Sequence, residues 1–274
     1  MIDHILLFGS SGMLGRYIYT YFKDHPIIRL SIVEPNEFRV TQESLETLDT
    51  LLETKHVDAS TCIINCIGTI PQRSKGDEGQ YYLVNTLFPH RLWAAAKHLG
   101  VAMIHPTTDC VFSGIKGSYN ETDCHDEKGA YGLSKSLGEP LGCTVIRTSI
   151  IGNEIQNKKS LLEWIISNNN GSINGYTNHM WNGITCLEYC KVIEILLRRN
   201  MLWKGVRHIA SPTAKSKYEL ATLIRDSYNL SITITPIATA IPVDKTLLTA
   251  YSLNMELEIP ELENQIKELK HYLL

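Results

Sequence analysis

The chain has 274 residues, 43% hydrophobic and 20% charged, with a formal net charge of −3. That balance fits one α/β unit, or a core domain with a smaller companion. It excludes the basic footprint of a protein that binds a nucleic acid polymer or rests on an anionic membrane surface. No apolar run approaches the ~20 residues of a membrane span.

The first 150 residues alternate apolar runs with helical patterns. "ILLFG" (5–9) predicts a strand and "LGRYIYTYFK" (14–23) a helix. "IIRLSIV" (27–33) predicts a strand, followed by a helix through "SLETLDTLLETK" (44–55). "TCIINCIG" (61–68) is again strand-like, and residues 81–100 predict one long helix with a kink at Pro89. "VAMIHPTTDCVF" (101–112) gives a strand and its exit, "AYGLSKSLGE" (130–139) a helix, and "TVIRTSII" (144–151) a further strand. Strands that are apolar throughout and separated by helices belong to a parallel sheet covered on both faces. The expected fold class is therefore a doubly wound α/β Rossmann-type sheet.

After Ile151 the rhythm loosens. "SLLEWIISNNNG" (160–171) predicts a helix, "YTNHMWNG" (176–183) a polar, aromatic loop, and "LEYCKVIEILLRR" (187–199) a helix. "VRHIA" (206–210) reads as a strand returning to the sheet, Ser216 as the cap of "KYELATLIRDSY", and "PELENQIKELKHYL" (260–273) as the last helix. The expected division is a cofactor-binding domain of residues 1–152 and 184–211, with a substrate-binding lobe of residues 153–183 and 212–274.

Seven cysteines, odd in number and without a CxxC pair, predict free thiols in a reducing cytoplasm. Ten histidines show no metal-ligand spacing, so no metal is expected.

"GSSGMLG" places Gly9, Gly12 and Gly15, with Ser11, Met13 and Leu14 between them, directly after the first strand. Glycines there permit a tight turn and a close approach of backbone to a pyrophosphate, and the following helix turns free N–H groups to the anion. A dinucleotide is the expected cofactor. The second strand ends in "IVEPNEFRV", offering Glu34 for a ribose hydroxyl and Arg39 for a ribose phosphate. Arg39 inclines the expectation to NADPH, with NADH the alternative.

"TTDC" (107–110) stands at the carboxyl end of the fourth strand, where α/β sheets bind ligands. The next helix brings Tyr131 and Lys135, four residues apart on one face. A free phenol, with a pKa of ~10, is a poor proton donor at neutral pH. A cation one turn away would lower it by about 1–3 units. Tyr19 and Lys23 share the spacing, but sit in the helix leaving the glycine loop, past its phosphate end. There a half-buried tyrosine and a solvated lysine are expected.

Together the glycine loop, "TTDCVFSG", Y-x-E-T-D (119–123) and "AYGLSKSLGE" resemble the extended short-chain dehydrogenase/reductases, and within them the dTDP-4-dehydrorhamnose reductase family. The resemblance implies that Thr108 orients a keto group, that Tyr131 donates the proton, and that Lys135 lowers the phenol's pKa and binds the nicotinamide ribose. It also implies that Gly12, Met13 and Leu14 meet the pyrophosphate, that Ile67, Gly68 and Thr69 line the cofactor, and that Arg39 and Val40 lie at the adenine. Asn85, in "LVN", would support the site, and Asp109 would approach a sugar. The implied activity is reduction of the C4 keto group of a nucleotide-linked 4-keto-6-deoxyhexose, in deoxysugar and surface-glycan biosynthesis. A homodimer is compatible with it.

Departures from the family pattern bear on the substrate. Cys110 replaces a tyrosine, and Ile150 stands where a sugar-contacting tryptophan is usual. "TNHMWNGIT" (177–185) replaces D-Q-x-G-x-P-T, presenting Asn178, His179, Trp181 and Asn182. Lys245 is the nearest candidate for the expected basic patch. Asn178, Trp181, Ile150 and Lys245 are therefore substrate candidates, although a tryptophan such as Trp181 is more often a packed loop anchor than a ligand. A changed hexose follows, such as a UDP-2-acetamido-2,6-dideoxy-4-keto sugar. An epimerase or dehydratase of the same fold is one alternative. A non-catalytic NADP-binding regulatory subunit is another.

Overall fold

The computed structural model describes residues 2–71, 77–154 and 160–272. Six strands form the central sheet: β1 (His4–Phe8), β2 (Arg29–Val33), β3 (Thr61–Asn65), β4 (Ala102–Thr108), β5 (Thr144–Thr148) and β6 (Gly205–His208). Their order is β6-β5-β4-β3-β1-β2, and every pairing is parallel. β1, β3 and β5 are buried along their whole length, which is why their sequences show no polar alternation.

Side chains of a strand point alternately to opposite faces, and here both faces are packed. Ile5, Leu7, Cys62, Ile64, Ile104 and Ile146 join one core with helices α1 (Met13–Phe22) and α4 (Cys186–Arg198). Leu6, Phe8, Ile63, Met103 and Val145 join the other with α2 (Phe88–His98). The chain passes from β1 out to β2, then back to β3 on β1's other side. This reversal opens a crevice at the carboxyl ends of β1 and β3. Helix α3 (Ala130–Leu137) carries Tyr131 and Lys135 to that end of the sheet.

The structure departs from the predicted elements in three places. The helix expected over 81–100 is an α-turn (Glu78–Tyr81), a π-helical segment (Tyr82–Leu87) and then α2. Pro89 has no N–H to give the Asn85 carbonyl four residues back, so the regular ladder is interrupted there. The helix expected over 44–55 is two, Gln42–Glu46 and Leu48–Thr54, divided at Thr47, whose hydroxyl bonds the Ser44 carbonyl (3.1 Å).

"YTNHMWNG" is not simply a loop. Its Tyr176 closes a strand, Ser172–Tyr176, that pairs in parallel with Thr233–Ile237. His179–Trp181 pairs with Lys215–Ser216 and Val243–Asp244. Ser216 caps α5 (Lys217–Tyr228) in a reciprocal capping box with Glu219. α6 (Leu262–His271) completes the lobe; Leu273, in the predicted last helix, lies outside the described residues. No helix among the described residues is long and apolar enough to cross a membrane.

Candidate active site

The glycine loop is held by contacts that leave no room for side chains. Gly9 adopts φ +82°, and a Cβ there would lie 2.7 Å from the Cys66 carbonyl carbon on β3's exit. A Cβ on Gly15 would lie 2.0 Å from the Gly9 oxygen, so the turn and helix α1 close directly on each other. No side chain caps the amino end of α1, and its first turn holds no acidic residue, which leaves its N–H groups for an anion. Two cavities, ≈ 310 Å³ and ≈ 300 Å³, meet at Ile67, Gly68 and Thr69. The second is walled by Gly9, Ser11, Phe38, Arg39 and Val40; the first runs past Met13 and Leu14 to Tyr131 and Ile150. A groove of that form, with glycine at its narrow point, fits an extended dinucleotide.

Tyr131, Lys135, Thr108 and Asp109 all line the larger cavity. Thr108 closes β4, and its hydroxyl donates to the Asp109 carboxylate (3.1 Å) while accepting from the Cys110 N–H (3.1 Å). α3 is seated by two glycines. A Cβ on Gly132 would meet the Cys110 carbonyl at 2.6 Å, and one on Gly138 would meet the Asn85 carbonyl at 1.7 Å. Asn85 clasps the Thr69 backbone, accepting from its N–H (2.9 Å) and donating to its carbonyl (3.0 Å). Its amide also donates to Ser134 of α3 (3.1 Å). This one side chain thus ties the groove wall to the helix carrying Tyr131.

The electrostatics differ from the expectation that Lys135 lowers the Tyr131 phenol. Burial pushes that phenol up, Cys110 and Asp109 push it further, and a hydrogen bond with Thr108 opposes them. Lys135 does not figure among the groups that move it. Its Nζ turns to the exit of β3, where a Cβ on Gly68 would stand 3.0 Å away. Burial brings the Lys135 ammonium itself down to about 8, against the pull of Glu139. The unliganded protein therefore holds Tyr131 firmly protonated, as a donor must be before reaction.

Beside this site Asp109 is 4% exposed and its pKa is raised by burial, opposed by Lys217 and Lys245. Lys217 was not legible as a site residue. It opens α5, and its ammonium lies over the Trp181 ring, 5.3 Å from the centroid. Nothing in S-K-Y-E marks it beyond the cap.

Of the candidates named from sequence, Gly9, Ser11, Gly12, Met13, Leu14, Arg39, Val40, Ile67, Gly68, Thr69, Thr108, Asp109, Tyr131, Lys135 and Ile150 line the groove. Gly15 and Asn85 stand behind its wall for the reasons given. Asn178 and Trp181 are not on it. Asn178 exchanges hydrogen bonds with the Thr239 backbone (2.8 and 3.1 Å), and Trp181 is packed in the core under Lys217. Trp181 is turned inward by strand pairing, and Asn178, in the turn before that strand, ties it to Thr239. Lys245 also lies off the wall, 3.7 Å from Glu127, acting on Asp109 only through its charge. Tyr19 is half-buried and Lys23 exposed, as expected of that pair.

Two residues on the wall of the larger cavity, Thr107 and Tyr189, have buried hydroxyls without a hydrogen-bond partner among the described residues.

The RmlD substrate binding domain family model matches residues 3–171. The spore coat polysaccharide biosynthesis protein SpsK of Bacillus subtilis (strain 168) is 29% identical over 190 residues, 63% of this chain. The chain spans only 62% of that relative's length. The methionine adenosyltransferase 2 subunit beta of Bos taurus is 23% identical over 248 residues, 82% of this chain and 72% of that protein. Among solved structures, a dTDP-4-dehydrorhamnose reductase from Bacillus anthracis in complex with NADP matches with a TM-score of 0.83. Its identity is 18%, covering 98% of this chain and 99% of that one, which is a likeness of fold.

Proposed function

The chain belongs to the RmlD substrate binding domain family, and from that premise we propose that it is an NAD(P)H-dependent reductase of a nucleotide-linked sugar. The carbonyl reduced is the C4 keto group of a 4-keto-6-deoxyhexose, in deoxysugar or surface-glycan synthesis. Residues 1–152 and 184–211 hold the cofactor, and residues 153–183 and 212–274 form the substrate lobe. The observation that carries this is the convergence of a protonated Tyr131, Thr108 and Lys135 in a cavity continuous with the glycine-loop groove.

A nicotinamide held between the glycine loop, Gly68 and Lys135 would supply hydride to the carbonyl carbon. Thr108 and Tyr131 hold the carbonyl oxygen, and Tyr131 O–H gives it the proton as negative charge develops. Stabilising the oxygen only as it becomes anionic is what accelerates the step. Lys135, close to Gly68 on the cofactor wall, holds the nicotinamide ribose. Asp109, aligned by Thr108 and Cys110 and faced by Lys217, approaches the sugar. Cys110 and Ile150 both line the cavity, where bulkier tyrosine and tryptophan are the family's usual residues. The space they release suits a 2-acetamido group, favouring a UDP-2-acetamido-2,6-dideoxy-hexulose.

The test is NADPH and NADH consumption by purified protein across dTDP- and UDP-linked 4-keto-6-deoxyhexoses with and without the 2-acetamido group. Consumption dependent on one sugar, and lost in Tyr131→Phe, supports the proposal; none with any sugar overturns it. The alignment to the methionine adenosyltransferase subunit, over more of the chain than SpsK covers, favours a second reading as an NADP-binding regulatory subunit. That reading requires tight NADPH binding without turnover and a stable complex with another enzyme.

A further inference from the structure

Tyr189 lies in the second turn of α4, 0% exposed, and its hydroxyl has no hydrogen-bond partner among the described residues. Burial first, and then the neighbouring Cys66, Cys190 and Cys186 thiols, themselves buried or half-buried, push its pKa up. A hydroxyl removed from water without a partner costs about 1–3 kcal/mol. Phenylalanine would fill the same space without that cost, so for the unliganded fold the oxygen is a net loss. It is not remote from the site: Tyr189 shares the cavity wall with Met13, Cys66, Ile150 and Glu154.

The topology says which part of a dinucleotide reaches it. Ile150–Ile151, just past β5, pairs with Ile184–Thr185, and the chain continues directly into α4. Tyr189 is thereby delivered beside Ile150, on the Tyr131 side of the groove. Arg39 and Val40 lie in the other cavity, past Gly68. A cofactor whose adenosine lies by Arg39 and whose ribose meets Lys135 presents its nicotinamide to this wall. The neutral carboxamide of that ring both donates and accepts hydrogen bonds, as does a phenol.

Resting on the NAD(P)H reading above, we propose that the Tyr189 hydroxyl receives the nicotinamide carboxamide and so fixes the rotation of the ring in the cleft. It is a cofactor-orienting residue, separate from the proton-donating group. Its single partner is the carboxamide, so its contribution disappears for any nucleotide that lacks the nicotinamide.

The experiment compares wild type and Tyr189→Phe in the full chain by equilibrium binding and thermal unfolding, without turnover. The nucleotide pairs are NADPH against 2′-phospho-ADP-ribose, and NADH against ADP-ribose. Tyr189→Phe is expected to weaken the nicotinamide-bearing member about tenfold, the loss of one hydrogen bond to a buried partner. Affinity for the truncated member should not change, and the unliganded Tm should stay level or rise. Equal affinity of mutant and wild type for the intact dinucleotide overturns the proposal while leaving the cofactor reading intact. So does a lowered Tm with both members weakened alike, since that is a packing defect. Failure of wild type to bind any of the four overturns the cofactor reading, and this proposal with it.

Discussion

The backbone carbonyl of Asn85 occupies the space a side chain on Gly138 would need: a Cβ there would lie 1.7 Å from the oxygen. The π-helical segment and α3 thus touch backbone to backbone at the end of the helix that presents Tyr131. Gly138→Ala should cost at least ~2 kcal/mol, because neither backbone can withdraw without opening the Asn85 clasp on Thr69. Urea unfolding checks this, and a loss below ~0.5 kcal/mol, within the scatter of surface substitutions, would show the helices free to part.

Tyr131→Phe should reduce turnover by about 10²–10⁴-fold, the usual worth of a positioned proton donor. The Ser134 hydroxyl bonds the Tyr131 backbone carbonyl (2.8 Å), which the substitution leaves in place. Circular dichroism and cofactor affinity should therefore match wild type while kcat falls.

Lys135 should make two properties move in opposite directions with pH. Its folded pKa, about 8, lies below the ordinary 10.5, so between those values the unfolded chain binds the extra proton. Stability owed to this group therefore rises with pH across that window. Cofactor affinity should fall over the same range as the ammonium discharges. Lys135→Met should flatten both profiles, and an affinity that is level between pH 7 and 9.5 in wild type would remove Lys135 from cofactor binding.

Acid should weaken the fold through Arg147, which is 1% exposed. Its guanidinium pairs with Glu139 (2.6 Å) and donates to the ring nitrogens of His208 (2.8 Å) and His125 (2.7 Å). Burial, then the Arg147 charge, brings His208 down to about 4, and lowers His125 in the same order of cause. Folded pKa values below 6.5 mean that stability is complete above that pH and declines as pH falls toward 4. Between pH 7 and 5 the urea midpoint should drop, by on the order of 1–2 kcal/mol in stability. His208→Gln should reduce that dependence; Glu121, whose pKa is lowered from 4.5, contributes only below the window.

Arg39 lines the cavity assigned to the adenosine end, its Nε donating to the Pro35 carbonyl (3.3 Å). If it receives a ribose phosphate, Arg39→Ala should lower the ratio of NADPH to NADH affinity by about tenfold or more, since a charged hydrogen bond is worth ~1.5–3 kcal/mol. An unchanged ratio would show that the phosphate is read elsewhere.

What was legible in the sequence was what neighbours along the chain determine. β1, β3 and β5 announced themselves because a strand buried on both faces carries apolar side chains toward both and shows no regular polar alternation. The glycine loop was legible because close approach excludes every Cβ, and Tyr131 and Lys135 because helical spacing puts them on one face. The sequence by itself therefore determined the sheet, the groove and the residues that meet there.

The tertiary structure alone decided which of those groups face one another and which lose water. Helical spacing placed Lys135 near Tyr131, but the approach of β3's exit turned its ammonium to Gly68 and left the phenol raised by burial. Trp181 looked available in a polar stretch until pairing with Lys215, more than thirty residues on, turned it inward, and Asn178 is taken up by hydrogen bonds to Thr239. Lys217 and Tyr189 carried no local mark, because the first acts on Asp109 by its charge and the second joins the cavity wall, each from a helix that lies far along the chain. Backbone geometry is local and so is written in residue spacing, whereas desolvation and charge are set by whatever packs alongside, at any separation in sequence.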